Sequence, residues 1–198
     1  IGRNRFSLNE EVLPVEQAKE EPNHLTTLRI VTGVTAGSCF ATGRDGWVLA
    51  GAAVMVLSLF LDRADGELAR LTGKTSRFGH VYDLIADGTA NAAVFLGIGL
   101  GLRDSALAEW AVPLGLLAGL AVALSELLVI RLDATGVRKS SDLGGRWGFD
   151  PDDGLFLVPL GMALGLAQEL LIAAAIGAPL ACLVLAGLLF AGRRAARP

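Results

Sequence analysis

Four aspartates stand on a fixed frame between residues 62 and 87 of this chain: Asp62, Asp65, Asp83 and Asp87. Carboxylate oxygens are the ligands that Mg²⁺ and Mn²⁺ prefer, whereas Zn²⁺ favours His and Cys, and neither occupies a position of the frame. Two such ions ~3.5–4 Å apart clamp a phosphate, neutralise its charge and activate an attacking oxygen. The residue types therefore predict metal-assisted phosphoryl transfer.

The spacing of the aspartates predicts that they converge. Asp62 and Asp65 are three residues apart, and Asp83 and Asp87 are four apart, so each pair lies on one face of a helix. Two facing stripes would gather the four carboxylates around one small volume. Arg70, two turns after Asp62, is predicted to reach a phosphate oxygen, and an aspartate not fully committed to metal would take the proton from an alcohol.

The elements that carry this frame are apolar enough for a membrane. Of 198 residues, 53% are hydrophobic, and the mean hydropathy is +0.54. Runs of about 20 apolar residues are typical of spanning helices. The predicted fold is an all-α integral membrane bundle of six transmembrane helices, at residues 25–43, 46–72, 76–102, 106–132, 152–168 and 170–192.

Two details of this layout stay open at the ends of the chain. The last two spans either turn at Gln168-Glu169 or form one long helix and a re-entrant piece. Residues 1–22 are polar and form a cytoplasmic segment, either a surface helix or a linker from a soluble domain, ahead of the membrane domain at 23–198.

The basic residues predict the orientation. With six spans, fifteen Arg and Lys fall on the side of the termini and only Arg44 and Arg103 on the other. Since basic residues collect on the cytoplasmic side, both termini and the aspartate frame are predicted to face the cytoplasm from the cell inner membrane. No nucleic-acid partner is predicted.

Aspartates within a membrane also occur in proteins that are not enzymes. The carboxylates could form structural salt bridges with nearby basic side chains: Arg63, Arg70, Lys74 and Arg77. A cation channel or transporter would also place acidic residues along its path. Such a path should continue across the bilayer, yet the outer halves of the predicted helices carry almost no ionisable groups. A pocket open to the cytoplasm favours an enzyme.

Two motifs of this chain resemble the signature sequences of a known family. The frame reads Asp-x2-Asp-Gly-x2-Ala-Arg-x8-Gly-x3-Asp-x3-Asp, and every fixed position matches the signature of the CDP-alcohol phosphotransferases. Upstream, the segment from Pro22 to Arg29 is similar to the family's opening Pro-Asn-x-Leu-Thr-x-x-Arg. The resemblance implies transfer of a substituted phosphate from a CDP-linked donor to an alcohol, with release of CMP, by a homodimer in phospholipid biosynthesis.

The resemblance also implies roles for individual residues. Asp62, Asp65 and Asp83 would bind two Mg²⁺ or Mn²⁺ ions, and Asp87 would share metal binding with general-base duty. The CDP site would be lined by residues of both motifs: Asn23, Thr26, Gly66, Ala69, Arg70 and Gly79.

Residues near the frame are candidates for the acceptor pocket. Glu126, within a predicted span and beside Ser125, is expected to face a polar pocket rather than lipid. His80 is predicted to touch a phosphate, and Asn91, four residues after Asp87, to orient that carboxylate.

The remaining candidates are charged residues in the loop before the fifth predicted span and at the start of that span. Arg138 and Lys139 either hold an acceptor phosphate or anchor the loop to anionic lipid. Asp152 and Asp153 either favour the positive end of a helix that begins at Pro151 or face the acceptor pocket.

The substrates stay open between two pairings. In the first, CDP-diacylglycerol reacts with a small soluble alcohol or its phosphate. In the second, a soluble CDP-alcohol, of the choline, ethanolamine or inositol type, reacts with a lipid or polyol hydroxyl.

Overall fold

A computed structural model describes residues 21–72, 77–134 and 151–195. Within these ranges the side chains of 21–25, 62, 65–72, 77–81, 133, 151–153 and 193–195 are left out. Predictions for residues 1–20, and for Arg138 and Lys139, lie outside the described residues.

The described chain is all helical and contains no strand. Its six α-helices are α1 (Glu21–Ala41), α2 (Asp45–Thr72), α3 (Arg77–Gly101), α4 (Ala111–Ala134), α5 (Leu157–Ala163) and α6 (Ala167–Ala195). Short 3₁₀ segments at Ala108–Trp110 and Pro151–Phe156 precede α4 and α5. By length and composition, the three helices α3, α4 and α6 are able to cross a membrane. An all-α membrane protein is confirmed, whereas six full spans and cytoplasmic termini stay predictions.

Turn residues explain where the first helices begin and end. Pro22 follows the first residue of α1, where a fixed φ suits the helix and no N–H is needed, so α1 begins four residues before the predicted 25. Gly43 has a φ of +63° and donates its N–H to the Phe40 carbonyl at 3.1 Å. This left-handed residue lies in the turn that follows the end of α1. The next two helices, α2 and α3, begin and end within one residue of their predicted bounds.

The turn between α5 and α6 lies before the predicted Gln168-Glu169. Gly165, with a φ of +76°, donates to the Met162 carbonyl at 3.1 Å, and Leu166 donates to the Gly161 carbonyl at 2.8 Å. This pair of bonds is the Schellman motif, in which glycine adopts the left-handed conformation. The predicted boundary was therefore wrong: a short α5 is followed by the 29-residue α6.

The helices form a closed ring. Helix α1 packs against α2 and α3, α3 against α4, α4 against α6, α6 against α5, and α5 against α2. The sequence predicted that the aspartate stripes of α2 and α3 face each other. In the described residues α1 lies against both helices, because neighbours in the chain need not be neighbours in a bundle.

A packed core closes one end of the ring. It includes Phe40 at the end of α1, Met55 on α2, Ile98 on α3 and Leu171 at the start of α6, all 2% exposed or less. These residues belong to the end that is predicted to face outward. The aspartate frame lies at the opposite end, since it spans the end of α2 and the beginning of α3.

Glycines bring α1 and α3 into backbone contact. A Cβ added to Gly97 would lie 2.6 Å from the carbonyl carbon of Gly37, and one added to Gly37 would lie 2.7 Å from the carbonyl carbon of Ala93. Small residues at four-residue spacing allow this approach between membrane helices, where packing rather than hydrophobicity drives association.

Gly97→Ala is expected to destabilise the protein, because its methyl group meets backbone that cannot turn away. Overpacking costs about 1–3 kcal/mol, measurable as earlier thermal unfolding in detergent. Gly187→Ala on α6, where nothing lies within 4 Å of the new Cβ, is the matched control. Equal unfolding temperatures for the two variants would contradict the close α1–α3 contact.

Candidate active site

A cavity of about 780 Å³ lies inside the ring, with lining residues from all six helices. Its size falls within the usual ~300–1,000 Å³ of small-molecule sites. Apolar side chains of α4 and α6 form most of the lining. The polar members are Arg29, Asp87, Ser125 and Glu126.

Arg29 and Asp87 form a buried ion pair at this cavity. Arg29 Nε lies 2.8 Å from Asp87 Oδ1, and the two side chains are 6% and 22% exposed. The contact is an ion pair by distance, although the direction of the Nε–H bond does not make it a hydrogen bond. A residue of α1 thus places a positive charge beside Asp87, and both residues line the cavity.

Polar side chains tie Arg29 to its neighbours through its backbone. Thr32 Oγ1 donates to the Arg29 carbonyl at 3.0 Å and to the Leu28 carbonyl at 2.9 Å. From α2, buried Ser58 is placed to donate to the same Arg29 carbonyl at 3.5 Å. The α1 segment that carries Arg29 is thus attached to α2 through its backbone, and to α3 through the ion pair.

The part played by Arg29 was not predicted from the sequence. Arg29 was counted among the cytoplasmic basic residues and as the last position of the opening motif. The sequence contained a signal that could have indicated this pair. A charge inside an apolar helix needs a partner of opposite charge, and Asp87 is a carboxylate inside another apolar helix. No spacing rule joins residues that are so far apart in the chain.

Asn91 contacts Glu126 and not Asp87. Asn91, 4% exposed, donates from Nδ2 to Glu126 Oε1 at 2.6 Å across the α3–α4 contact. The prediction that Asn91 orients Asp87 was therefore wrong, because the amide is directed to the neighbouring helix. Glu126 lines the same cavity as Asp87, while its role stays a prediction.

The two cysteines are free thiols, and Cys182 connects α4 with α6. Its Sγ lies 3.2 Å from Ser125 Oγ and donates to the Ala121 carbonyl at 3.1 Å. Cys39 is 8% exposed within the packed end of the bundle. Both positions are accounted for by packing.

The aspartate frame divides between two helices. Asp62 and Asp65 belong to α2, and Asp83 and Asp87 to α3. The side chains of Asp62 and Asp65 are not among the described ones. The same holds for four further candidate positions on these helix ends: Ala69, Arg70, Gly79 and His80. Gly66 lies on α2 in the same stretch.

A divalent metal pair is compatible with the donor set of the frame. Among the described side chains, no three or more of His, Cys, Asp and Glu gather in one place, so the four-carboxylate cluster stays a prediction. The donors are carboxylate oxygens only, and Asp87 faces the cavity. These features suit Mg²⁺ or Mn²⁺.

The opening motif reaches the same end of the bundle. Thr26 is buried at 5% exposure one helical turn before Arg29. Beside it, Thr27 Oγ1 lies 2.9 Å from the hydroxyl of Tyr82, the residue before Asp83. Asn23 lies on α1 with its side chain outside the description. The motif on α1 is therefore adjacent to the second half of the frame.

The 3₁₀ segment Pro151–Phe156 packs on α2. The Arg63 guanidinium carbon lies 5.0 Å from the centroid of the Phe156 ring, and the Phe60 ring meets that ring edge-on at 6.3 Å. A cation–π contact is worth about 0.5–1 kcal/mol at an exposed site. These contacts place Phe156, at the end of the segment, on α2. The side chains of Asp152 and Asp153 lie outside the described residues.

Apolar helices around a largely apolar cavity that contains a few charged side chains define an integral membrane protein with an internal pocket. The family model for CDP-alcohol phosphatidyltransferase matches residues 20–190. The chain belongs to this family. The match agrees with the motifs on α1, α2 and α3 that resembled it.

Two curated relatives match shorter stretches. The archaetidylinositol phosphate synthase of Pyrococcus horikoshii is 38% identical over 80 residues, which is 40% of this chain and 41% of the relative. The phosphatidylinositol phosphate synthase of Streptomyces avermitilis is 38% identical over 76 residues, or 37% of this chain and 30% of the relative. The matches thus span less than half the length of either relative.

Proposed function

We propose that this protein transfers a phosphatidyl-type group from a CDP-linked lipid to a hydroxyl of an inositol phosphate and releases CMP. The observation that carries the proposal is the Asp87 carboxylate, held by Arg29 at 2.8 Å at an apolar cavity. The names of the two relatives differ in their lipid part and share inositol phosphate. That shared part supports the acceptor.

The lining of the cavity supports a lipid as the donor. Beyond the charged residues it is apolar, with Val122 and Ile130 on α4 and Leu170 and Leu185 on α6. An acyl chain placed there stays in apolar surroundings, so the cavity accommodates a lipid substrate. Because the names of both relatives point to a water-soluble acceptor, inositol phosphate, the lipid is assigned to the donor, and CDP-diacylglycerol or a similar lipid is the proposed donor.

The residues of the aspartate frame support direct displacement of CMP at the lipid-bearing phosphorus by the acceptor hydroxyl. Asp62, Asp65 and Asp83, together with Asp87, would hold two Mg²⁺ or Mn²⁺ ions, which neutralise phosphate charge when bound. Asp87 takes the proton of the acceptor hydroxyl, whose oxygen forms a bond to the lipid-bearing phosphorus. The bond from that phosphorus to the CMP oxygen breaks, and CMP leaves with the electron pair. Arg29 keeps Asp87 directed at the hydroxyl.

Purified protein is expected to release CMP only when CDP-diacylglycerol, inositol 1-phosphate and Mg²⁺ or Mn²⁺ are all present. EDTA should reduce release to background, and excess Mn²⁺ should restore it, because a charge-neutralising ion is required at the phosphate. CDP-choline with diacylglycerol tests the opposite pairing. Failure to release CMP from any CDP-linked donor and alcohol would contradict the proposal.

The setting of this activity is also part of the proposal. The active site faces the cytoplasm from the cell inner membrane, as the count of basic residues indicates. The protein works as a homodimer, which crosslinking in native membranes checks. The packed core at the opposite end of the ring supports a one-sided pocket over a channel.

A further inference from the structure

We infer that Glu126 selects the acceptor by binding a hydroxyl that does not react. The inference rests on the proposed function and names a part of the site that performs recognition rather than chemistry. In this arrangement Asp87 receives the reacting hydroxyl, and the Glu126 carboxylate holds a second hydroxyl of the same molecule. The class of acceptor is therefore a polyol.

The position of Glu126 follows from its contact with Asn91. Asn91 is four residues beyond Asp87 on α3, about 6 Å along the axis, and its amide donates to Glu126 Oε1 at 2.6 Å. Glu126 and Asp87 both line the cavity. The two residues thus line one cavity from neighbouring helices at adjacent levels, so that hydroxyls of one polyol would reach both.

The chemistry of the substrates favours the acceptor as the partner of Glu126. An ionised carboxylate only accepts hydrogen bonds. The ester or ether oxygens in the lipid part of the donor also only accept, whereas its ribose hydroxyls and cytosine amino group donate, so the donor KM in the test below separates the two partners. The hydroxyls of a polyol are donors. A site built to bind a hydroxyl rejects an analogue that lacks it, because its polar group is then left desolvated without a partner.

Asn91 acts as a positioning residue in this scheme. It is 4% exposed and fixes one oxygen of Glu126, so the carboxylate is already ordered before the acceptor arrives. A contact that only joined α3 to α4 would not need a charge. Hydrogen bonds between membrane helices average ~0.6 kcal/mol, and glutamine would supply one without the cost of a carboxylate facing an apolar cavity.

Glu126→Gln separates recognition from a structural contact, because glutamine keeps the shape and still accepts from Asn91. CMP release is measured with saturating CDP-diacylglycerol against inositol 1-phosphate and against its monodeoxy analogues. We expect the KM for inositol 1-phosphate to rise about 10- to 100-fold, the range of one hydrogen bond to a charged group. The donor KM and kcat should change less than about threefold, because Glu126 takes no part in the chemical step.

The analogues and a matched control make the test specific. The deoxy analogue that lacks the bound hydroxyl should be used equally well by the wild type and Glu126→Gln. Glu169→Gln, an exposed glutamate at the start of α6, should leave every constant unchanged. Asn91→Leu should raise the acceptor KM in the same direction. An unchanged acceptor KM in Glu126→Gln, or a change confined to the donor KM, would overturn the inference.

A binding measurement distinguishes failure of the inference from failure of the proposed function. Inositol 1-phosphate should raise the unfolding temperature of the detergent-solubilised wild type and not that of Glu126→Gln. If the wild type releases no CMP but shows this difference, the proposed function fails and the recognition site stands. If CMP is released and the two proteins are stabilised equally, the recognition site fails alone.

Discussion

Asp87→Asn is expected to lower the rate of CMP release per folded molecule by about 10³-fold. It should also lower the unfolding temperature, because it breaks the ion pair with Arg29. A general base contributes ~10²–10⁴-fold, and asparagine is neither a base nor a charged metal ligand. The variant also leaves the Arg29 guanidinium beside a neutral amide. Initial rates of CMP release at saturating donor and acceptor measure the effect.

The control for this variant is Asp104→Asn. Asp104 lies in the turn after α3, and its side chain is 91% exposed, so the same chemical change there should be silent. Raised Mn²⁺ should not restore Asp87→Asn if proton transfer is lost. Retention of more than about a tenth of the wild-type rate would remove Asp87 from the chemistry.

Arg29→Gln is expected to reduce both stability and activity. It removes the guanidinium 2.8 Å from the Asp87 carboxylate. Because the Asp87 side chain is 22% exposed, the loss of stability should stay below the ~3–5 kcal/mol of a fully buried pair. Activity should fall because the carboxylate is no longer held in one orientation. Arg29→Lys keeps the charge without the planar geometry and should recover stability more than rate.

A double-mutant cycle tests whether the two residues act as a pair. Arg29→Gln/Asp87→Asn removes both charges and should unfold at a higher temperature than Arg29→Gln alone, while remaining inactive. Arg103→Gln, a 60% exposed arginine in the turn after α3, is the matched control. Additive losses of stability in the cycle would mean that the ion pair contributes no coupling.

Much of the fold was predictable because its signals are local. The turn before α2 contains a glycine, and the bounds of α2 and α3 agreed within one residue. The turn between α5 and α6 was misplaced because Gln168 and Glu169 are polar, whereas Gly165 carries the backbone conformation that ends the helix. The order of helices around the ring was not predictable, since it depends on contacts between distant segments.

The candidate site was predictable in its residue types and less so in its contacts. The frame indicated carboxylates on two helices, and Asp87 does face the cavity. Four-residue spacing correctly placed Asn91 on the same helix face as Asp87, but it gave no information on which partner the amide would choose. The Arg29–Asp87 pair was missed for the same reason, because its two halves come from separate helices.

The backbone contact at Gly37 and Gly97 has a mechanical consequence. No side chain separates the two backbones at these glycines, so α1 and α3 have little freedom to slide past each other. Arg29 on α1 and Asp87 on α3 are therefore expected to keep their distance when substrates enter and leave. The Arg29–Asp87 pair would then be formed before any substrate binds, rather than assembled by it.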